Sequence, residues 1–197
     1  MLKKVFATVL LTVLAMTVAA QAPDKGSFSL MPKVGVVFSK FSNHQVFAEK
    51  GSFAKEYKAQ FGPGFSVGLE GEYMAHPNIG VSLGLMYAHQ GTDHELEPAE
   101  AGLDYLNVPL MANIYITPQL AFRIGAQVGF LVDNDSPEDD VYESVDFAIP
   151  LGLQFEYQNF MLGLRYNWGL THVFKNSDYL KEKNCVFQID LGYRIQL

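Results

Sequence analysis

The chain contains one cysteine, Cys185, among its 197 residues, so no disulfide can form within it. After the first twenty residues there is no apolar run of about 18 residues, the length expected of a membrane-spanning helix. Basic residues are also scarce, because 14 Lys and Arg stand against 21 Asp and Glu and give a formal net charge of −7. An acidic chain of this kind is not expected to bind nucleic acid.

The first twenty residues have the composition of a secretory signal peptide. Two lysines open it, an apolar stretch follows over 5–18, and small residues precede the expected cleavage site after Ala20. An uncleaved membrane anchor is less favoured, because the apolar stretch is short for a spanning helix. We predict that residues 1–20 are removed and that residues 21–197 form a single domain. Removal of the two lysines leaves 14 − 2 = 12 basic residues against 21 acidic ones, a net charge of −9.

Short polar turns recur along the chain, and Pro77, Pro118 and Asn159 mark them at intervals of 41 residues. Each turn joins two long segments in which every second residue is apolar, which is the pattern of a β-strand with two different faces. Eight strands are predicted, at about 28–41, 61–75, 79–91, 103–116, 119–132, 145–157, 159–173 and 184–197.

The lengths of these strands and of their connections favour a membrane barrel. Ordinary strands average about 5–6 residues, whereas a strand that crosses a bilayer needs about 9–11. Short turns at one end and longer loops at the other are typical of small outer-membrane barrels. The predicted fold class is therefore all-β, an eight-stranded antiparallel up-and-down transmembrane β-barrel.

Alternation alone does not decide which face of the strands meets lipid. A soluble lipocalin-like binder of apolar ligands would show the same period with the opposite sense. The polar face of these strands is composed mainly of small side chains rather than the Lys and Glu of a water-exposed wall, and includes Gly64, Ser66, Gly68, Gly80, Ser82, Gly84, Ala88, Asn107, Gly125, Gly152, Gly163 and Gly192. Because small residues suit the narrow interior of an eight-stranded barrel, we predict that the apolar face looks outward.

Eight charged side chains have the parity of the interior face. Four are basic and four are acidic: Lys33, Arg123, Arg165, Arg194, Glu70, Glu72, Glu156 and Asp190. All lie near a short turn or near an end of the chain, so they are predicted to meet as one ionic cluster in the turn-side half of the barrel. Buried charges have to be paired, and we interpret the cluster as a structural substitute for an apolar core. A narrow ion path is the alternative, and replacement of Arg165 by Ala is expected to lower thermal stability.

Aromatic residues fall in two groups along the predicted strands. Those near the turns are Phe28, Tyr73, Phe122, Phe155, Tyr157, Phe160 and Tyr193, and those toward the loops are Phe38, Tyr87, Trp168 and Phe187. Two such bands are expected where a barrel wall meets the lipid head groups on either side.

Three segments of the chain resemble a known family. Residues 105–110, Tyr-Leu-Asn-Val-Pro-Leu, resemble the Tyr-Leu-X-aliphatic-Pro-Leu segment of the PorT-like outer-membrane β-barrels of Bacteroidetes, and 146–152 and 164–170 are similar to later segments of that family. The resemblance covers essentially the whole chain after the leader. It implies a small porin-family barrel in the cell outer membrane, in a family with one member linked to protein secretion and many without an assigned role. The chain ends on Leu197, where phenylalanine is the commonest last residue of such barrels.

The sequence contains few candidates for catalysis or metal binding. The histidines show no metal-ligand spacing, and the acidic stretch 133–140 does not match a calcium-binding EF-hand loop, although a weak divalent-ion site in that loop stays open. His172 and Ser177 are the only candidate base and nucleophile, and no third member accompanies them. We therefore predict no enzyme activity, no cofactor and no resident metal.

The favoured function is that of a monomeric structural or interaction protein of the outer membrane of a Gram-negative bacterium. Its wall is expected to contact lipid, and its exposed loops are expected to contact another envelope or secretion protein. These loops are predicted at about 42–60, 92–102, 133–144 and 174–183. The alternatives are a narrow porin-like channel and a soluble lipocalin-like binder.

Overall fold

The structure, a computed structural model, describes residues 24–41, 61–90, 102–134, 143–172 and 183–197. These residues form the strands β1 (Phe28–Phe41), β2 (Gly62–His76), β3 (Ile79–Gln90), β4 (Leu103–Tyr115), β5 (Leu120–Asn134), β6 (Val145–Tyr157), β7 (Phe160–His172), β8 (Lys183–Tyr193) and β9 (Ile195–Gln196). Within the described ranges, no helix is long and apolar enough to span a membrane.

All strands belong to one antiparallel sheet that closes on itself. Each strand from β2 to β7 pairs with the strands before and after it in sequence, and β8 pairs with β7. β1 closes the sheet by pairing with β2 on one side and with β8 and β9 on the other. β8 and β9 are two parts of one strand, interrupted at Arg194, and both keep the same register with β1. The molecule is therefore a closed barrel of eight antiparallel strands, as predicted, and closure leaves no unpaired sheet edge.

Small differences from the predicted strand ends have local causes. Asp133 and Asn134, predicted as the start of a loop, extend β5, because Asp133 still has the register partner Asp104 in β4. The last strand breaks at Arg194, whose N–H donates to the carbonyl oxygen of Asn159 at 2.7 Å instead of to a neighbouring strand.

The wall has apolar side chains on its outside. Leu164 and Trp168 are exposed, whereas Arg165 and Asp190, their neighbours in sequence or across the sheet, are buried inside the barrel. This is the predicted sense of the alternation, and it contradicts the lipocalin-like alternative, which needs the apolar face on the inside. A surface this apolar is stable only when lipid covers it.

The exposed aromatic rings lie at both ends of the wall. Phe160 and Tyr193 make an edge-to-face contact at the turn end, with ring centroids 5.2 Å apart. Phe38 and Phe187 face each other toward the loop end at 6.5 Å.

The interior contains large apolar side chains as well as the small ones that were predicted to fill it. Five methionines point inward, and all are essentially inaccessible to solvent: Met31, Met74, Met86, Met111 and Met161. Four of them have a glycine as their cross-strand partner, in the pairs Met74–Gly80, Met86–Gly68, Met111–Gly125 and Met161–Gly192. The small residues thus create the space that flexible methionine side chains fill.

Several predictions fall on parts of the chain outside the described residues. They are the signal peptide at 1–20, the whole of the loop 42–60, and most of the other three loops. Ser177 lies there too, so the possible Ser/His pair stays a matter of sequence alone.

Candidate functional site

The barrel interior is the candidate site, because the structure places all eight predicted charged residues there. β1, β2, β5, β6, β7 and β8 contribute seven of them, and Arg194 follows β8 directly. None of the eight is more than 6% exposed. Since a buried charge is costly unless it is paired, the contacts among these side chains decide what the site can do.

A first group of charges forms around Glu70 near the middle of the barrel. The Glu70 carboxylate lies 2.7 Å from Lys33 Nζ and 2.5 Å from Arg123 Nη2. Arg123 also donates from Nε to Asn113 Oδ1 at 2.7 Å and from Nη1 to Gln154 Oε1 at 2.9 Å. This Glu70 group holds two cations and one anion, so it carries an excess positive charge.

A second group forms around Arg194, closer to the turn end. Arg194 Nη2 lies 2.5 Å from Glu72 Oε2 and 2.5 Å from Glu156 Oε1. The Tyr115 hydroxyl accepts from Arg194 Nη2 at 2.8 Å and lies 3.0 Å from Glu72 Oε2. Gly80 leaves room for the Glu72 carboxylate, which a Cβ at position 80 would displace. This Arg194 group holds one cation and two anions.

Two neutral amides connect the Glu70 group to the Arg194 group. Asn113 donates to Glu72 Oε1 at 2.6 Å while its own oxygen accepts from Arg123. Gln154 accepts from Arg123 and donates to Glu156 Oε1 at 2.5 Å. The opposite excess charges of the two groups are thus bound into one hydrogen-bonded network.

Sequence reasoning missed Asn113, Gln154 and Tyr115, which complete this network. Their inward parity on β4 and β6 was the available signal, but a search restricted to charged residues passes over them. Neutral donors and acceptors satisfy the remaining hydrogen bonds of buried charges, so they are needed wherever charges are buried.

The remaining two charged residues, Arg165 and Asp190, form a looser third group. Arg165 Nη2 is 4.0 Å from Asp190 Oδ2, and it donates to Gln188 Oε1 at 2.7 Å. Gln188 in turn donates to Asp190 Oδ1 at 2.6 Å. The predicted salt bridge of Arg165 is therefore mediated largely by an amide.

Uncharged side chains occupy the interior above and below the charges. At the turn end Met74, Tyr115 and Ala121 form a buried apolar cluster. Toward the loops, amides bond to each other: Asn184 donates to Gln90 at 2.7 Å and Gln127 donates to Asn107 at 3.0 Å. Buried side chains thus occupy the interior at the turn end, in the middle and toward the loops.

One further pair of ionisable side chains lies away from this interior. His89 and Asp104 pair at 2.7 Å on the outer wall near the loop end, where the His89 ring stacks on Phe65. Cys185 is buried. In the ranges that the structure describes, no three His, Cys, Asp or Glu side chains are grouped so that they could hold a metal ion.

The sequence matches one family model, and the match covers most of the chain. The family is described as an outer membrane protein beta-barrel domain, and the match spans residues 19–175. No curated protein sequence matches this chain.

Solved outer-membrane barrels share the architecture at low sequence identity. The outer membrane protein OprG from Pseudomonas aeruginosa is 16% identical, with 90% of this chain and 99% of that chain covered and a TM-score of 0.55. Neisserial surface protein A is 12% identical, with 84% and 97% covered and a TM-score of 0.51. Ail, the attachment invasion locus protein of Yersinia pestis, is 19% identical over 87% of this chain and 100% of that one, with a TM-score of 0.46. At these identities the likeness to OprG and to Neisserial surface protein A establishes the fold alone.

Proposed function

The chain belongs to the outer membrane protein beta-barrel domain family, and from this premise we propose that it is a monomeric structural or interaction protein rather than an open pore. The observation that carries the proposal is the filled interior, in which charged side chains are bonded to one another. In this proposal the eight interior charges replace an apolar core and hold the wall together from within.

The physical argument concerns the space inside and the bonds that fill it. An eight-stranded barrel has an interior just wide enough for side chains. An ion passing through would have to separate Arg194 from Glu72 and Glu156, which are bonded at 2.5 Å. Separating buried charges costs several kcal/mol, so conduction through this conformation is disfavoured.

The surface that remains for function is formed by the outer wall and the loops. The wall contacts outer-membrane lipid. We assign the contact with an envelope or secretion protein to the loops at about 42–60, 92–102, 133–144 and 174–183, and the PorT-like resemblance supports a secretion component. Neither enzyme activity nor a cofactor is part of the proposal.

The leader at 1–20 is expected to be absent from the mature protein, whose first residue is then Gln21, and intact-mass measurement checks this.

Planar-bilayer recording tests whether the barrel is closed. The refolded protein is expected to insert without steady ohmic steps, while an open porin added to the same bilayer provides the positive control. Reproducible ohmic steps from the purified protein would instead support the narrow-channel alternative.

Crosslinking and co-purification from native outer membranes test the interaction role. A reproducible partner is expected with the natural chain, and it is expected to be lost when the loop at 92–102 or at 174–183 is replaced by a short Gly/Ser turn. The first replacement lies between β3 and β4, and the second removes only Lys183, the first residue of β8, so such variants are expected to retain the barrel, which heat-modifiable migration on a gel verifies. Recovery of the same partner with every loop replaced would argue against loop-mediated interaction.

A further inference from the structure

A groove with a volume of about 400 Å³ lies on the outer wall where the first strand meets the last. Val34 of β1 forms its centre and has Val67 of β2 and Leu191 of β8 as register partners on its two sides. All three are exposed on the outside of the barrel. The volume lies within the range of about 300–1,000 Å³ that is usual for ligand pockets.

The groove lies between outward-facing side chains, with Val34, Val67 and Leu191 on one side and Pro32 and Tyr193 on the other. Lys33 points into the barrel toward Glu70, and its register partners on both sides are glycines, Gly68 and Gly192, which also line the groove. The floor on the β1 side is the short ring of Pro32. Because Lys33, Gly68 and Gly192 all face inward, they place no side chain in the groove, and their backbone forms part of its floor.

The ladder that closes the barrel is interrupted at the same level. Pro32 has no N–H to donate, and the Arg194 N–H donates to the carbonyl oxygen of Asn159 in the β6–β7 turn. The side-chain amide of Asn159 donates back to the Arg194 carbonyl oxygen at 2.9 Å. The N–H and the carbonyl oxygen of Arg194 are thus both bonded to the turn.

Two aromatic rings form the turn-side end of the groove. Phe160 and Tyr193 line it and contact each other edge to face. Phe160 follows directly on the turn at Gln158 and Asn159, so the groove lies in the turn-side half of the wall. In an outer-membrane barrel the short turns face the periplasm, and the leaflet on that side consists of phospholipid.

We propose that this groove binds one acyl chain of a periplasmic-leaflet phospholipid, whose ester region lies at the level of Tyr193. This inference rests on the proposed membrane location. The groove is continuous with the lipid-facing wall and is lined by apolar groups, so hydrocarbon is the chemistry it matches. A flexible chain fits an irregular recess better than a rigid protein surface does. The aromatic pair at the turn-side end matches the position where the chain joins the polar head group.

Photo-crosslinking in vesicles of phosphatidylethanolamine and phosphatidylglycerol tests this site. The probe is a phosphatidylethanolamine with a diazirine in one acyl chain. Adducts are expected to concentrate several-fold on peptides that contain Val34 and Leu191, compared with peptides from the wall of β3 that contain Leu83 and Leu85. Uniform labelling around the barrel would overturn the proposal.

Two matched variants separate the groove from the rest of the wall. Val34→Phe enlarges an outward-facing side chain that lines the groove, whereas Val128→Phe makes the same change on β5, on the far side of the barrel. Both residues face outward, so both variants are expected to fold, and gel migration checks this. Labelling of the groove is expected to fall several-fold in Val34→Phe and to stay unchanged in Val128→Phe. Equal labelling in the two variants would overturn the proposal.

Native mass spectrometry of protein taken directly from outer membranes identifies the occupant. One retained phospholipid is expected in the natural protein and in Val128→Phe, and none in Val34→Phe. Retention of lipopolysaccharide, or of a second copy of the chain, would contradict the proposal. These outcomes are independent of conductance and of partner capture. If the protein does not conduct but is labelled uniformly, only the lipid-binding groove is contradicted. If it conducts but retains a lipid, only the proposed function is contradicted.

Discussion

Individual arginines inside the barrel differ in how completely they are bonded. Arg194 lies 2.5 Å from two carboxylates, while the nearest carboxylate oxygen of Arg165 is at 4.0 Å. Both side chains are equally buried. The difference in bonding therefore separates the contribution of ion pairing from that of burial.

Replacement of Arg194 by Met is expected to destabilise the barrel more than the same replacement of Arg165. Arg194→Met leaves Glu72 and Glu156 buried without a cation, which is expected to cost about 3–5 kcal/mol of unfolding free energy. Arg165→Met leaves Asp190 with its bond from Gln188, so a smaller loss is expected. Urea unfolding in lipid vesicles measures both.

A double variant shows whether the loss at Arg165 is electrostatic. Arg165→Met with Asp190→Asn removes both charges of the looser pair, and recovery of part of the lost stability is expected. Arg194→Lys is the control at the other arginine, because lysine keeps the positive charge but does not reproduce the planar geometry of a guanidinium. If Arg165→Met lowers the unfolding free energy as much as Arg194→Met does, the arginines contribute through the overall charge balance of the interior and not through separate bonded groups.

At the scale of elements, the short turns fix how the long strands pair. The β6–β7 hairpin is as short as the β2–β3 hairpin, and it has Tyr157 and Phe160 as register partners around Gln158 and Asn159. Gln158 has a φ of 55°, in the left-handed region where a side chain is disfavoured. Among the described residues it is the one non-glycine position with a positive φ.

Gln158→Gly is expected to stabilise the folded barrel by about 0.5–1 kcal/mol. Relief of the left-handed backbone conformation is worth about 1–2 kcal/mol, and the greater freedom of glycine in the unfolded chain offsets part of it. The midpoint of urea unfolding reports the change. Gln158→Ala is the matched control, since it shortens the side chain but keeps Cβ, and it is expected to show no gain. A gain of equal size in both variants would assign the effect to the glutamine side chain instead.

At the scale of the whole molecule, the position of a residue along the outer wall corresponds to its depth in the membrane. Leu83 lies well inside β3 and Val132 lies near the loop end of β5, and both are more than half exposed, at 58% and 55%. Their similar exposure means that only their depth in the bilayer distinguishes them.

Leu83→Arg is expected to cost about 2–4 kcal/mol and Val132→Arg about 0–1 kcal/mol, because the penalty for a charge on the lipid face falls from the midplane to the interface. Unfolding titrations in vesicles of defined lipid measure both free energies. The same pair in detergent micelles, where depth is poorly defined, provides the comparison. Equal costs in vesicles would contradict the assigned orientation of the wall.

Much of the architecture is predictable because it depends on local sequence. The alternation of Phe160, Leu162 and Leu164 with Met161, Gly163 and Arg165 assigns faces by strand geometry alone. The same parity places the eight charges inside, without any knowledge of which strands become neighbours. The methionines show the limit of arguments from composition. Met161 has interior parity, but only small side chains were predicted to fill the interior.

The pairing inside the barrel was not predictable to the same degree. Parity places Arg194 and Glu72 on the interior face, but nothing local indicates that they meet, because they come from β2 and from the end of the chain. Tyr115 and Asn113 were overlooked for a related reason. Their importance comes from the charges around them and not from their own chemistry.

The sequence by itself determined the period, the strand lengths, the turn positions and the outward direction of the apolar face, because each follows from a few consecutive residues and the geometry of one strand. The tertiary structure decided which charges bond, where amides connect them, and that a groove lies beside Val34. These depend on closure and register, which bring residues from the two ends of the chain into contact. A one-dimensional pattern carries no information on such distances, so they emerge only when the last strand pairs with the first.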